Sequence, residues 1–391
     1  MHVVFIATPD LSYVSGSSLS LRYTVESLAR QGASCTVLCQ HAPRDARTAG
    51  VTYRELPMPL DYQVITDSTP SSADLSQCLT MLLDAAVGIP DADVLHAIYG
   101  TFTGAAAVLA GALMGIPVVV QTFGRDLMLG AAADDRYRRL MDLSYSRADL
   151  VIASDEELAD ALRRGYRGPR SPIRILPPGQ NFAKVRGIAR DTAVPARDRT
   201  RILAVQSSFN QAKGLGILLH AIALLGERLP HIKLVVAGHD DTPGARIDAA
   251  MRELTRQLGI SDRVTFTGHL EHEQVARTMA GCDMLVDPRV INSFSTCVYE
   301  AMTLGIPVVA SDMPCNREAL GGGSRGELVR NGDARDLARG ITAVLDAPKR
   351  TAELCHAATT YVAKAEQEFG SDVVAENLLA MYEQLTTQTT G

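Results

Sequence analysis

Residues 287–311 read Asp-Pro-Arg-Val-Ile-Asn-Ser-Phe-Ser-Thr-Cys-Val-Tyr-Glu-Ala-Met-Thr-Leu-Gly-Ile-Pro-Val-Val-Ala-Ser. The apolar run Met284–Val286 that leads into this stretch is short enough for a buried strand, and Val308–Ala310 near its end is another. Between them, the turn Ser293–Thr296 opens a helix that carries Glu300 about one turn in. Strand, helix and strand in this order make a parallel pair with a covering helix, the repeating unit of an α/β sheet.

The same rhythm extends in both directions. Toward the middle of the chain, Ile202–Gln206, Lys233–Ala237 and Val264–Thr267 read as strands, and Gly326–Val329 follows as a further one. The N-terminal half repeats it with Val3–Ala7, Cys35–Cys39, Asp93–Ala97, Val118–Thr122, Leu150–Ala153 and Ile173–Leu176. Helices fit between them at Leu19–Gln31, where Gly32 is a natural C-cap, at Leu75–Val87 and at Glu156–Arg164. From Pro177 to about Thr200 the periodicity stops and Pro, Gly and charged residues take over. Asp372–Leu385 is amphipathic, with Val373, Val374, Leu378, Leu379, Met381 and Tyr382 at helical spacing. The expected organisation is a Rossmann-like domain over 1–180, a linker over 181–200 and a second Rossmann-like domain over 201–365. A final helix, 366–391, is expected to pack back on the first domain. Two doubly wound sheets on one linker form a cleft, and ligands of such sheets bind outside the carboxyl ends of the strands.

Composition narrows the function. The chain has 391 residues, of which 46% are hydrophobic and 21% charged, and its net charge of −6 argues against a nucleic-acid partner. Tryptophan is absent and aromatics make up 5%, so aromatic stacking platforms are not expected. The seven cysteines are scattered with no Cys-x-x-Cys, as suits reduced thiols in the cytoplasm. The N-terminus lacks a basic region before its short apolar run and reads as a strand. Residues 97–124 carry no charge, but Gly100, Gly104, Gly111, Gly115 and Pro117 divide the run, so a small-residue helix and a buried strand are expected, not a membrane span. His269-Leu-Glu-His272 has no supporting ligand cluster and is not read as a metal site. The arginines at 163, 164, 167, 170 and 174 read as a solvated loop in preference to a contact with anionic lipid. No Gly-x-Gly-x-x-Gly opens the first domain, so a nicotinamide fingerprint is lacking.

The motifs carry a resemblance. Ser293-Phe294-Ser295 followed by Glu300-Ala-Met-Thr-Leu-Gly-Ile-Pro-Val-Val-Ala resembles the retaining glycosyltransferases of family 4, which have the GT-B fold. The likeness continues along nearly the whole chain. Lys213-Gly214 matches the family's phosphate-binding lysine, and Val235-Val-Ala-Gly238 and Phe266-Thr-Gly268 match two strand-to-turn glycines near the donor base. Leu176-Pro-Pro-Gly179-Gln-Asn matches the turn into the linker, and Val14-Ser15-Gly16-Ser-Ser18 the Gly-rich loop of the first domain. The chain departs from the pattern at three places: Asn292 stands where the family has its first Glu, Ser208 where it has a phosphate-binding Arg, and Phe123 where it has a His.

The resemblance implies an α/β GT-B enzyme that moves a sugar from a nucleoside-diphosphate donor to a small-molecule or lipid acceptor. Lys213, Glu300 and Asn292 would be catalytic. The donor would meet Ser15, Gly16, Ser208, Lys213, Gly238, Leu270, Asn292, Ser293, Phe294, Ser295, Thr296 and Glu300. The acceptor would meet Tyr13, His96, Tyr99, Phe123, Arg125 and Asp126. The helix-start amides and Lys213 would carry the leaving diphosphate, so neither metal nor cofactor is implied. A monomer or homodimer is expected, with no more than peripheral membrane contact. The abundance of Ala and Arg fits a GC-rich bacterium, where such enzymes serve cell-envelope or secondary-metabolite synthesis. The three departures keep two other readings open: a GT-B sugar-nucleotide epimerase, and a nucleotide-sugar-binding protein without catalysis.

Overall fold

The computed structural model describes residues 1–7, 11, 15–43, 47–59, 71–124, 126–127, 135–166, 172–190, 200–205, 213–226, 228–229, 231–238 and 247–389. The chain divides into two compact units. The first takes Met1–Tyr13, Ser17–Gln180 and again the residues from Glu368 onward; the second takes Val14–Gly16 and Asn181–Gln367.

In the first unit, β1 (His2–Ile6), β2 (Ser34–Cys39), β3 (Val51–Glu55), β4 (Val94–Ile98), β5 (Val118–Thr122), β6 (Leu150–Ala153) and β7 (Ile173–Ile175) form one parallel sheet in the order β3-β2-β1-β4-β5-β6-β7. β4, β5 and β6 are buried along their whole length, which is why they read as unbroken apolar runs. β3 was not expected. Its residues Val-Thr-Tyr-Arg-Glu lie at the sheet edge with mostly exposed side chains, so no apolar pattern marks it. Helices α1 (Gly16–Arg30), α2 (Ser72–Val87), α3 (Phe102–Met114), α4 (Asp135–Arg147) and α5 (Glu156–Gly165) link the strands. The uncharged run is thus a core helix and strand. A Cβ at Gly104 would lie 2.7 Å from Ser144 Oγ, and one at Gly111 2.2 Å from Val118 Cγ2, so these glycines let α3 sit close to its neighbours. Among the described residues, no helix is long and apolar enough to cross a membrane.

α6 (Phe182–Arg190) of the second unit is a helix inside the stretch read as the interdomain linker. Phe182 and Val185 bury one side of it, a spacing too short to stand out among the charges around it. The sheet is again parallel: β8 (Arg201–Val205), β9 (Lys233–Ala237), β10 (Val264–Gly268), β11 (Met284–Asp287), β12 (Val308–Ser311) and β13 (Glu327–Val329) run in the order β10-β9-β8-β11-β12-β13. Around it lie α7 (Leu215–Leu224), α8 (Ile247–Gln257), α9 (His272–Ala280), α10 (Thr296–Thr303), α11 (Pro314–Ala319), α12 (Ala334–Asp346) and α13 (Pro348–Phe369). Strand order reverses between β1 and β4 in the first sheet and between β8 and β11 in the second, and the crevice at such a switch point is where α/β sheets take ligands.

The last helix, α14 (Ser371–Thr389), belongs to the first unit. It is tied in by Gln180 N donating to Phe369 O at 3.1 Å, Ser371 N to Gln180 O at 2.9 Å, and an ion pair between Arg30 and Asp372 at 2.6 Å. Val374, Leu378 and Tyr382 are its buried face.

Candidate functional site

At the switch point of the second sheet, β11 ends on Asp287 and the chain turns through Pro288 and Arg289. Arg289 is folded inward and only 4% exposed. Its Nε donates to Asp287 Oδ2 at 2.7 Å. Nη1 donates to the Ser293 carbonyl at 2.7 Å and to Ser293 Oγ at 2.9 Å, and Nη2 donates to Ser295 Oγ at 2.8 Å. Ser295 Oγ in turn donates to Asp287 Oδ2 at 2.9 Å. Burial works against the charge on Arg289, but the adjacent Asp287, by charge and hydrogen bond, is the main group favouring it, and the net effect holds the guanidinium ionised beyond the ordinary Arg range.

Ser295 is the N-cap of α10, yet its hydroxyl makes no capping bond because it is turned to Asp287 and Arg289. The Ser295 hydroxyl therefore leaves the first amides of α10 uncapped by their own N-cap side chain, at the end of the helix where its dipole favours negative charge. The Phe294 ring stacks on Tyr299 of α10 at 5.0 Å and 8°, which pins the turn to the helix. Cys297 lies in the same first turn. Burial and then Asp287 push its thiol up to about 11, so it stays protonated at neutral pH, although Arg289 and Lys213 pull the other way.

Lys213 stands at the start of α7, half-buried. Gly214 follows it in the left-handed region (φ 69°), and a Cβ there would lie 1.9 Å from the Pro288 carbonyl oxygen. Only glycine allows this approach, which sets Lys213 beside the exit of β11. Glu300 is 6% exposed, and its Oε1 lies 2.6 Å from Nε2 of His272, the first residue of α9. The His272 side chain is thus engaged with a carboxylate. Asn292 is buried, and its Oδ1 accepts from the Cys315 amide at 3.0 Å, tying the turn to α11. Thr296 opens α10, and Gly238 (φ 137°) closes β9 with its N–H on the Gly268 carbonyl at 3.1 Å. Leu270 is half-buried just after that pair. Lys213, the Ser293–Thr296 turn and Glu300 therefore gather at one end of one sheet. Sequence reasoning missed Asp287, Arg289 and His272. An Arg two residues after a strand-ending Asp was the available signal for the first two, but an Arg in a loop is solvated by default.

The expectations in the N-terminal half fare differently. His96, expected at the acceptor, lies in the core, fully buried on β4, stacked on Phe5 at 4.9 Å and bonded through Nδ1 to Tyr382 Oη of α14 at 2.5 Å. Asp126 is likewise turned inward: Tyr145 Oη and Thr122 Oγ1 donate to it at 2.5 Å each and the Gly100 amide at 3.0 Å. Burial raises its pKa despite those donors. Its place is beneath the turn after β5, where it fixes Thr122 and Gly124; Thr122 Oγ1 accepts from the Gly124 amide at 3.0 Å. Tyr99 (φ 75°) and Phe123 meet edge to face at 5.8 Å, both mostly buried. Ser15 and Gly16 stand at the start of α1, where Ser15 is half-buried. Tyr13, Arg125 and Ser208 lie outside the described residues.

Two family models match the chain: "Glycosyl transferase 4-like domain" over residues 15–179 and "Glycosyl transferases group 1" over residues 190–364. A D-inositol 3-phosphate glycosyltransferase of Stackebrandtia nassauensis is 25% identical over 402 aligned positions, covering 98% of this chain and 89% of that protein. Among solved structures, sucrose-phosphate synthase from Thermosynechococcus elongatus superposes with a TM-score of 0.81 at 20% identity, covering 99% of this chain and 100% of that one. HepE from Anabaena, solved in complex with UDP-glucose, gives 0.78 at 17% identity, covering 98% and 100%.

Proposed function

The chain is a glycosyltransferase of GT-B fold that takes its sugar from a nucleotide-sugar donor, and on that premise we propose that it retains the anomeric configuration and delivers the sugar to a hydroxyl of a small-molecule or lipid acceptor. One observation carries the donor side. An uncapped helix start, a lysine and a buried carboxylate lie in sequence around the switch point of one sheet. In this reading the amides of α10 and Lys213 take the diphosphate and Glu300 accepts hydrogen bonds from the ribose. Charge grows on the diphosphate as the glycosidic bond breaks, so these groups act more strongly in the transition state than in the ground state. The departing phosphate oxygen then takes the acceptor's proton, and no protein base is needed. A uridine donor is the first to test, because HepE is solved with UDP-glucose. An epimerase would need acid and base groups at the sugar, and Asn292 and Phe123 supply neither charge nor a titrating proton.

The test is a thermal-shift panel of nucleoside diphosphates and their sugars, since a ligand of the native state raises the midpoint with its affinity. The responding donor is then incubated with acceptors and the anomeric proton of the product read by NMR. A stabilising donor and an axial or equatorial product matching the donor's configuration support the proposal. An inverted product ends the retaining assignment, and no shift with any nucleotide ends the donor assignment.

A further inference from the structure

Arg289 contacts four groups of its own loop, yet it is buried and neutralised by Asp287, so it is poorly placed to touch a phosphate itself. Its bonds point to another task. The Ser293 carbonyl turns inward to Nη1 at 2.7 Å, and the Phe294 carbonyl leans the same way at 3.4 Å. In a trans peptide the C=O and the following N–H point in opposite directions. With the carbonyls of 293 and 294 drawn in, the amides of Phe294 and Ser295 are turned out, away from Arg289. Nη2 and Asp287 also hold the Ser295 hydroxyl, which at an N-cap would otherwise accept from the second or third amide of the helix. The fork thus does two things at once: it aims two loop amides outward and keeps the capping oxygen off the first amides of α10.

We propose that Arg289, paired with Asp287, is a positioning residue that pre-sets the Ser293–Ser295 turn as an amide cradle for the donor diphosphate. The proposal rests on the donor reading above and goes beyond it by giving the cradle's shape to a residue outside the expected site. Because the guanidinium acts through its geometry, lysine will not replace it: an ammonium keeps the charge opposite Asp287 but has no planar fork to hold a carbonyl and a hydroxyl together.

The experiment compares the wild type, Arg289→Lys and the double variant Asp287→Asn/Arg289→Met, which removes both members of the pair and so leaves no unpaired buried charge. The probe is whichever of UDP, GDP, dTDP or ADP stabilises the wild type most, titrated calorimetrically beside its parent nucleoside. We expect both variants to bind the diphosphate at least tenfold more weakly while nucleoside affinity stays within about twofold, because the nucleoside reads Glu300 and the fold but not the cradle. The kcat should fall along with diphosphate affinity in both. Three outcomes overturn the proposal: unchanged diphosphate affinity in the double variant, full recovery of it in Arg289→Lys, or nucleoside and diphosphate affinities falling in parallel. A wild type that binds none of the four overturns the donor reading and this proposal with it.

Discussion

His272 Nε2 and Glu300 Oε1 are 2.6 Å apart, with both side chains under 9% exposed. The carboxylate proposed to hold the donor ribose is thus oriented by a residue from a different helix, so the first turn of α9 and the first half of α10 act together. Glu300→Gln should weaken nucleoside binding roughly tenfold to a hundredfold, the worth of about 1.5–3 kcal/mol for a charged hydrogen bond. His272→Ala should cost less, because it frees the carboxylate without removing it. Calorimetric titration of both variants with the preferred nucleoside checks this, and an unchanged affinity in Glu300→Gln removes that residue from the donor site.

Lys213 is expected to act on the leaving group. Lys213→Ala should lower kcat by on the order of a hundredfold, near the loss of one oxyanion-type donor, with a smaller effect on donor affinity. Steady-state kinetics at saturating donor give the two terms separately. A wild-type kcat would place the leaving-group charge elsewhere.

Gly214→Ala should be worse than an ordinary glycine replacement. The new Cβ meets the strain of φ 69° and the Pro288 oxygen, 1.9 Å away, and backbone cannot step aside cheaply. Gly259 is a matched control: its φ is 66° and nothing lies within 4 Å of the added carbon. Gly259→Ala should cost about 1 kcal/mol and Gly214→Ala more than 2, with loss of donor affinity confined to the latter. Thermal midpoints and donor titrations on both variants compare them directly.

The buried His96 should make the protein acid-sensitive. Burial pushes its imidazole down to about 3, so the folded state keeps it neutral. The unfolded chain takes up a proton below about 6.5, and the folded chain does not until far lower. Unfolded protein then binds more protons, and stability falls as pH drops from about 6.5 toward 3, by up to roughly 1.4 kcal/mol per pH unit. His96→Gln should flatten that part of the profile even if it lowers stability at pH 7. Denaturant unfolding between pH 7 and 4.5 on both proteins tests it, and parallel profiles would mean that another group carries the acid response.

Much of the fold could be read from periodicity because its central strands are buried on both faces and appear as short apolar runs, as at Val3–Ala7 and Leu150–Ala153. The edge strand Val51–Glu55 and the helix Phe182–Arg190 escaped because neither buries enough of its length to leave a pattern. In the site, Lys213 and Glu300 were legible because their neighbours form a local motif. Arg289 was not, since its meaning lies in being turned inward onto atoms up to six residues away. His96 and Asp126 show the opposite case. A polar residue on or just after a strand invites a ligand role, and its burial and contact with residues far off in sequence could not be read locally. The Tyr382 hydroxyl that takes up His96 is 286 residues down the chain, and the Tyr145 hydroxyl on Asp126 comes from the next helix.

The contact between His96 and Tyr382 also sets an order on the ribosome. Domains usually fold as they emerge, the N-terminal one first. Here the strands of the first sheet are synthesised early, but the helix whose Tyr382 meets the buried His96 is made last, after the whole second unit. The second unit can close while the first still shows an open apolar face, so the part translated first is the part finished last. A premature stop codon anywhere between the two units' boundary and Tyr382 would release a nascent chain with that face uncovered, a substrate for chaperones and proteases.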